Sequence, residues 1–256
     1  MLMALTHLPS PLLQNCELTF LQSEPISLER ANMQHAEYRA MLERCGVSVV
    51  ALDESRELPD SVFVEDPIIV FDEVAVLTSM GVASRRKESD AIEAFFAQHR
   101  PIKRIELPAK IEGGDVLKIG KKIFVGESPR TNKEGIEALA RIIKPLGYAV
   151  IPVRVFGCLH LKTGCTALDE QTLLINSAWI DASAFEGFNK IEVPHDEPFG
   201  ANVLKIGTIL CMNEAFPKSI ALVKELGYTV DSVDISEFVK AEAGLTCMSV
   251  PFTCKA

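Results

Sequence analysis

No apolar run in this chain of 256 residues reaches the roughly 20 that a membrane-spanning helix needs, and the best stretch, GYAVIPVRVFGCLHL, is broken by Arg154. The start, MLMALTHLPSPLLQ, has neither a basic n-region nor an obvious small-residue cleavage site, so no secretory leader is expected. Clustered Lys and Arg are also missing, and the formal charge is −9. That balance argues against a nucleic-acid partner, because phosphate binding needs basic clusters. The seven cysteines, at 16, 45, 158, 165, 211, 247 and 254, include no CxxC pair and lack the spacing of a small secreted disulfide framework. Reduced thiols in a cytoplasmic protein are therefore expected, and a structural zinc is not. No linker rich in Pro, Gly or Ser divides the chain, so 1–256 reads as one domain, with 48% hydrophobic residues to fill its core.

What the chain does contain is a repeat. DVLKIGKKIFVGES from Asp115 and NVLKIGTILCMNEA from Asn202 each read as strand, glycine turn, strand. An amphipathic helix and a further strand follow both, and both helices end in Leu-Gly-Tyr, where glycine suits a left-handed cap. Two weaker copies start at Asp66 (DPIIVFDEVAVLTSM) and Cys165 (CTALDEQTLLINSA). A fifth strand is expected to begin near Cys247. Its partners are expected from the other end of the chain: MLMALTHL, a helix from about Leu28 to Arg44, and VSVVAL. Units that cannot bury their faces singly argue for a closed ring of five ββαβ units rather than a two-domain α/β protein with chance hairpins.

In such a ring equivalent strand ends meet near the axis, and the chemically interesting residues fall there: FVEDP (63–67), IEGGD (111–115), LHLKTG (159–164) and LTCMS (245–249). Each has a bland reading. Cys247 and His160 lie among apolar neighbours and suit a core, Glu112 can solvate a turn, Gly113 and Gly114 can serve backbone geometry, and Glu65 and Asp66 can be an exposed acidic pair. Their matched phase in the repeat favours a common site.

Together with ESPRTN (127–132), these motifs in this order and spacing resemble the dimethylarginine dimethylaminohydrolases, cysteine hydrolases of the pentein or guanidino-group-modifying superfamily. The resemblance runs from about residue 15 to 252. It implies an α/β fold, the five-bladed α/β propeller (pentein) of pseudo-repeated ββαβ units around a central pore. It also implies Cys247 as nucleophile, His160 as general acid and base, and Glu112 as the group that orients His160. Asp66 would grip a guanidinium, with Asp60 and Glu65 lining the site and Phe63 as an aromatic wall. Arg85 and Arg130 would pair with the substrate's α-carboxylate. The backbone carbonyls of Leu18 and of Ala241, six residues before the nucleophile, would serve the amino end. No metal and no cofactor are implied. The implied substrate is an N-methylated L-arginine, hydrolysed to citrulline with methylamine or dimethylamine through an S-alkylthiouronium on Cys247. Neither nucleic acid nor membrane is an expected partner, and a homodimer is open to the chain.

Where arginine deiminases of the superfamily carry H-x-D, this chain has His160-Leu161-Lys162. Loss of that second carboxylate suits a nitrogen whose hydrogens are replaced by methyl groups, unless Lys162 merely points to solvent. The alternatives are another guanidino or ureido hydrolase, such as an arginine deiminase or citrulline hydrolase, and a non-catalytic pentein-fold binding protein. Two stretches depart from the family pattern: Glu112-Gly113-Gly114-Asp115 stands where Glu-Ala-Gly-Asp is common, a mild change, and Ala241-Glu242-Ala243 stands where a glycine-richer approach to the nucleophile is expected, which would alter access to the substrate's amino end.

Overall fold

The computed structural model describes residues 1–254. Its strands, in chain order, are β1 (Leu2–His7), β2 (Ser48–Leu52), β3 (Ile68–Val70), β4 (Ala75–Leu77), β5 (Ile102–Arg104), β6 (Val116–Ile119), β7 (Lys122–Glu127), β8 (Ala149–Arg154), β9 (Cys165–Ala167), β10 (Thr172–Ile175), β11 (Asn189–Glu192), β12 (Leu204–Ile206), β13 (Ile209–Asn213), β14 (Thr229–Val233) and β15 (Val250–Thr253). They pair into five three-stranded sheets, ordered β15-β1-β2, β3-β4-β5, β6-β7-β8, β9-β10-β11 and β12-β13-β14. In every sheet the first pair is antiparallel and the second parallel; four of the units are a hairpin followed by a crossover, and in the fifth the antiparallel pair is β15 with β1. The sheet β15-β1-β2 joins the two ends of the chain, with Leu2 opposite Thr253 and Leu5 opposite Val250, and closes the ring of the expected five-bladed α/β propeller.

The helices are α1 (Leu28–Arg44), α2 (Ser89–Phe96), α3 (Lys133–Ile143), α4 (Leu161–Gly164), α5 (Pro217–Glu225) and α6 (Ser236–Val239). The first matches its expected span. Ser27 caps it by accepting the Arg30 N–H at 3.3 Å, and Glu29 lies in the first turn, where the helix dipole favours an anion. After the third and fifth helices, Gly147 (φ +85°) and Gly227 (φ +90°) take the left-handed conformation that Leu-Gly-Tyr suggested. The sheet β9-β10-β11 departs from the ββαβ pattern. Its crossover from β10 to β11 holds only a 3₁₀ turn, Ala182–Phe185, in place of the expected helix. Phe185 from that turn is fully buried against Phe124 (ring centroids 4.5 Å apart), filling the position a helix would cover.

Apolar side chains pack between neighbouring sheets. One cluster joins Leu5, Val250 and Phe252 to Ile68, Val70 and Leu77; another joins Phe124 and Val153 to Leu173 and Ile175. A cavity of about 400 Å3 is lined by residues of β3, β6, β9, β12 and β15, including Lys118 and Lys205 from the two VLKIG copies. These five strands therefore surround the axis. Among the described residues no helix is long and apolar enough to cross a membrane.

Candidate active site

Asp66, Glu112, His160 and Cys247 each stand a few residues before an axial strand, on the same end of the pore. Cys247 lies on a 3₁₀ turn, Leu245–Met248, and the strand it was expected to open begins at Val250 instead. Tight turning lets the Gly244 N–H reach the Cys247 Sγ at 3.4 Å. The first helix steadies this turn, since buried Tyr38 donates its hydroxyl to the Leu245 carbonyl (2.8 Å) and lies 2.7 Å from the Ser249 hydroxyl. Cys247 remains partly exposed.

His160 is buried and caps the short α4. Its Nε2 is 2.8 Å from Glu112 Oε2, and its Nδ1 is 3.9 Å from Asp66 Oδ1. Burial alone would lower the imidazole pKa. Asp66, Asp115 and hydrogen-bonded Glu112 outweigh it and raise the value to about 9, so His160 is an imidazolium near neutrality. Burial alone would raise both partners, but the His160 hydrogen bond and charge hold Glu112, and the His160 charge together with Arg85 holds Asp66, below the usual carboxylate range. The thiol behaves oppositely: burial, then Glu65, then Asp66 push Cys247 up to about 12, leaving it protonated in the free protein.

Close backbone approach explains IEGGD. A Cβ on Gly113 would lie 1.9 Å from the Glu65 carbonyl oxygen, and one on Gly114 would lie 2.5 Å from His160 Nδ1. Both glycines are needed to bring the FVEDP, IEGGD and LHLKTG segments together, beyond serving local geometry.

Of the other expected residues, Asp60 and Phe63 are buried in the segment leading to Asp66. Asp60 accepts the Glu17 N–H at 3.2 Å, tying it to the loop that carries half-buried Leu18. Arg130 reaches Glu112 (3.4 Å) and the Thr19 hydroxyl (3.0 Å). Ala241 is buried in the turn after α6. Arg85 is placed among acids: it donates to both carboxylate oxygens of Glu88, at 2.8–3.2 Å, and to Asp66 Oδ2 at 2.9 Å, with Asp60 3.9 Å away. Lys162 does not point to solvent. It pairs with Glu65, whose other oxygen accepts the Thr246 hydroxyl at 2.9 Å. Burial still raises the Glu65 pKa despite that partner. As for a metal, Asp66, Glu112 and His160 bring one ligand atom each to within 4.8 Å of one another, but the histidine and Glu112 already engage each other there.

Several supporting residues were not anticipated. Asp115 accepts the Leu161 N–H at 2.8 Å and the Ser128 hydroxyl at 2.6 Å, fixing the turn that bears His160. Asn202 does the same for the turn bearing Cys247, accepting the Thr246 N–H at 3.2 Å. A signal for both lay in the repeat. Asp66, Asp115 and Asn202 are the first residues of their copies, and each reaches forward to the next motif; for Asp66 the donor is the Gly114 N–H at 3.2 Å. Glu88 was legible as the i+3 neighbour of Arg85.

The family profile described as N,N dimethylarginine dimethylhydrolase, eukaryotic, matches residues 15–248. The chain is 36% identical over 225 residues to the N(G),N(G)-dimethylarginine dimethylaminohydrolase of Pseudomonas aeruginosa, covering 87% of this chain and 89% of that protein. To the protein of the same name from Streptomyces coelicolor it is 37% identical over 250 residues, 96% and 95% of the two chains. Among solved structures, a Cys-to-Ser variant of the Pseudomonas aeruginosa protein complexed with citrulline superimposes with TM-score 0.92 at 33% identity, over 97% of this chain and 98% of that one. The N-terminal domain of a cyanobacterial arginine dihydrolase shares the fold, with TM-score 0.88 at 21% identity over 98% and 97%. Profile, sequence identity and fold agree that this chain belongs to the dimethylarginine dimethylaminohydrolase family.

Proposed function

We propose that the chain hydrolyses N-methylated L-arginine to L-citrulline and methylamine or dimethylamine, acting as one catalytic domain, 1–256, with Cys247, His160 and Glu112 as its working groups. The observation that carries this reading is the geometry around Asp66: His160 sits between Glu112 (Nε2 to Oε2, 2.8 Å) and Asp66 (Nδ1 to Oδ1, 3.9 Å), at the pore end that also bears Cys247, a thiol that burial, Glu65 and Asp66 keep protonated in the free protein. A guanidinium in the plane of Asp66 supplies a cation there and favours the thiolate. The relatives' names and the bound citrulline of the Pseudomonas aeruginosa structure point to the same reaction.

With Nε2 engaged by Glu112, Nδ1 is the ring atom left to move protons. Guanidinium binding releases the Cys247 proton to solvent; the thiolate Sγ then attacks the guanidinium carbon, and the C–N bond to the substituted amine breaks as that amine takes the Nδ1 proton, giving an S-alkylthiouronium and neutral His160. The imidazole then takes a proton from water as the oxygen adds to the same carbon. The C–S bond breaks, the added hydroxyl's proton passes to the departing thiolate, and citrulline leaves with the thiol restored, His160 again protonated and no cofactor consumed. Arg130 and Arg85 would meet the α-carboxylate. The carbonyls of Leu18 and Ala241 would receive the α-amine, and Asp60, Glu65 and Phe63 would complete the walls.

The Lys162–Glu65 pair favours a methylated over an unsubstituted guanidine, because a lysine charge neutralises one of the acids that unsubstituted N–H groups would use. A reduced, cytoplasmic setting suits thiol catalysis, and any self-association would be as a homodimer. A panel of asymmetric dimethylarginine, monomethylarginine, arginine and citrulline, assayed for dimethylamine, ammonia and citrulline, tests the proposal. Dimethylamine released with matching citrulline is expected. Ammonia from arginine at comparable kcat/KM would make the chain a deiminase, and no turnover with unmodified Cys247 would leave a binding protein.

A further inference from the structure

Glu242 lies in the stretch where this chain departs from the glycine-richer pattern, and its backbone shows the departure. It has φ +59°, a left-handed conformation that a residue with a Cβ rarely adopts, next to Ala241 and two residues before Gly244. Its carboxylate faces the loop carrying Leu18. Both of its oxygens lie 3.0 Å from the Thr19 nitrogen, and Oε1 also accepts from the Phe20 and Leu21 N–H groups. Three successive N–H groups thus converge on one anion, making a backbone nest whose anion is supplied by the protein itself. The same loop is tied at Glu17 to Asp60 and Ser84 and at Thr19 to Arg130, so Glu242 joins a set of anchors that includes two expected substrate-contacting residues, Asp60 and Arg130. Phe20 and Leu21 from the loop, with Leu159, Glu242 and Gly244, line a small cavity of about 60 Å3 at the edge of the catalytic turn.

We infer that Glu242 is a positioning residue that latches residues 17–21 over the site and thereby sets the enzyme's selectivity for substrates with a free α-amino group. The inference rests on the reading above in one respect, that the Leu18 and Ala241 carbonyls receive the α-amine. Glu242 follows one of these carbonyls directly and binds the N–H groups just after the other, so its carboxylate fixes the spacing between them. A glycine at 242 would satisfy the backbone and lose the latch. Glutamate keeps a strained backbone and gains it.

The test uses the full chain, its Glu242→Gly variant, which suits the observed φ, and Glu242→Gln, which keeps one acceptor oxygen. Hydrogen exchange of the 19–21 amides is read by mass spectrometry. Kinetics are read with monomethylarginine and with its analogue in which hydrogen replaces the α-amino group. For Glu242→Gly the expected result is tenfold or faster exchange at residues 19–21, a KM for monomethylarginine raised tenfold or more, kcat within threefold, and an unchanged KM for the analogue; Glu242→Gln falls between. Unchanged exchange would overturn the latch. Faster exchange with equal KM losses for both substrates would overturn the link to the α-amine. Should wild type turn over neither substrate while exchange still responds, the proposed reaction fails and the latch stands.

Discussion

Removing the negative charge of Glu65 should make Cys247 more reactive in the free protein, although Glu65 lies in the expected binding site. Burial, Glu65 and Asp66 together hold the thiol at about 12, so at pH 7 the thiolate is on the order of one part in 10⁵. Glu65→Gln deletes one of these repulsions and leaves the Lys162 cation without its partner, and both changes favour the thiolate. Charges this close typically move a pKa by about 1–3 units, and a net drop of roughly 1–2 is expected here. Because nucleophilicity falls with basicity, only about half of that gain in log units reaches the rate. Inactivation by iodoacetamide at pH 7.5 should therefore quicken by roughly three- to tenfold. The assay follows residual turnover and the mass of the Cys247 peptide, with Cys247→Ser as blank. An unchanged or slower rate in Glu65→Gln would show that these charges do not govern the thiol, and substrate-assisted ionisation would lose its basis.

Two further expectations follow from the same site. His160 is raised to about 9 from an unfolded value near 6.5, so its contribution to folding is full below about pH 6.5 and is lost as pH rises through about 9. That amounts to about 3 kcal/mol of stability falling away between these limits. Denaturant melts across pH 6–10 should show this slope, and His160→Gln should lack it. Glu88, raised to about 7, loses its contribution as pH rises from about 4.5 through 7, and Lys118, lowered to about 8, gains stability with pH above that, so the His160 slope is read as the difference between wild type and His160→Gln. Gly114→Ala should fold but drop kcat by about 100-fold or more, since its Cβ would press within 2.5 Å of His160 Nδ1; activity within threefold of wild type would contradict the role given to Nδ1.

Much of this architecture was legible because a repeat multiplies weak signals. One VLKIG hairpin is ambiguous, but two in phase, with weaker copies and chain ends that fit together, argue for closure over a two-domain arrangement. The phase also brought Asp66, Glu112, His160 and Cys247 to one end of the pore before any contact was known. What stayed hidden depends on pairings between distant segments. Lys162 meets Glu65 across 97 residues, and Glu242 meets Thr19 across 223, distances at which local pattern carries no information. Arg85 illustrates a different limit. Its charge was evident, but its pairing with Glu88 and Asp66 depends on the turn at 83–88 folding back over FVEDP. The expectation of five ββαβ units missed the absent helix in β9-β10-β11, where the crossover is covered instead by the 3₁₀ turn that buries Phe185.

The central claim is that Cys247 forms a covalent bond to the guanidinium carbon and that the methylated nitrogen leaves first. Acid quenching during steady-state turnover, followed by intact-mass and peptide mass spectrometry, tests it directly. The account predicts an adduct on Cys247 equal to arginine less ammonia, with the same mass from monomethylarginine and asymmetric dimethylarginine because the methyl groups depart with the amine. Adducts whose masses retain the methyl groups, or product formation in a Cys247→Ser variant at the wild-type rate, would contradict it.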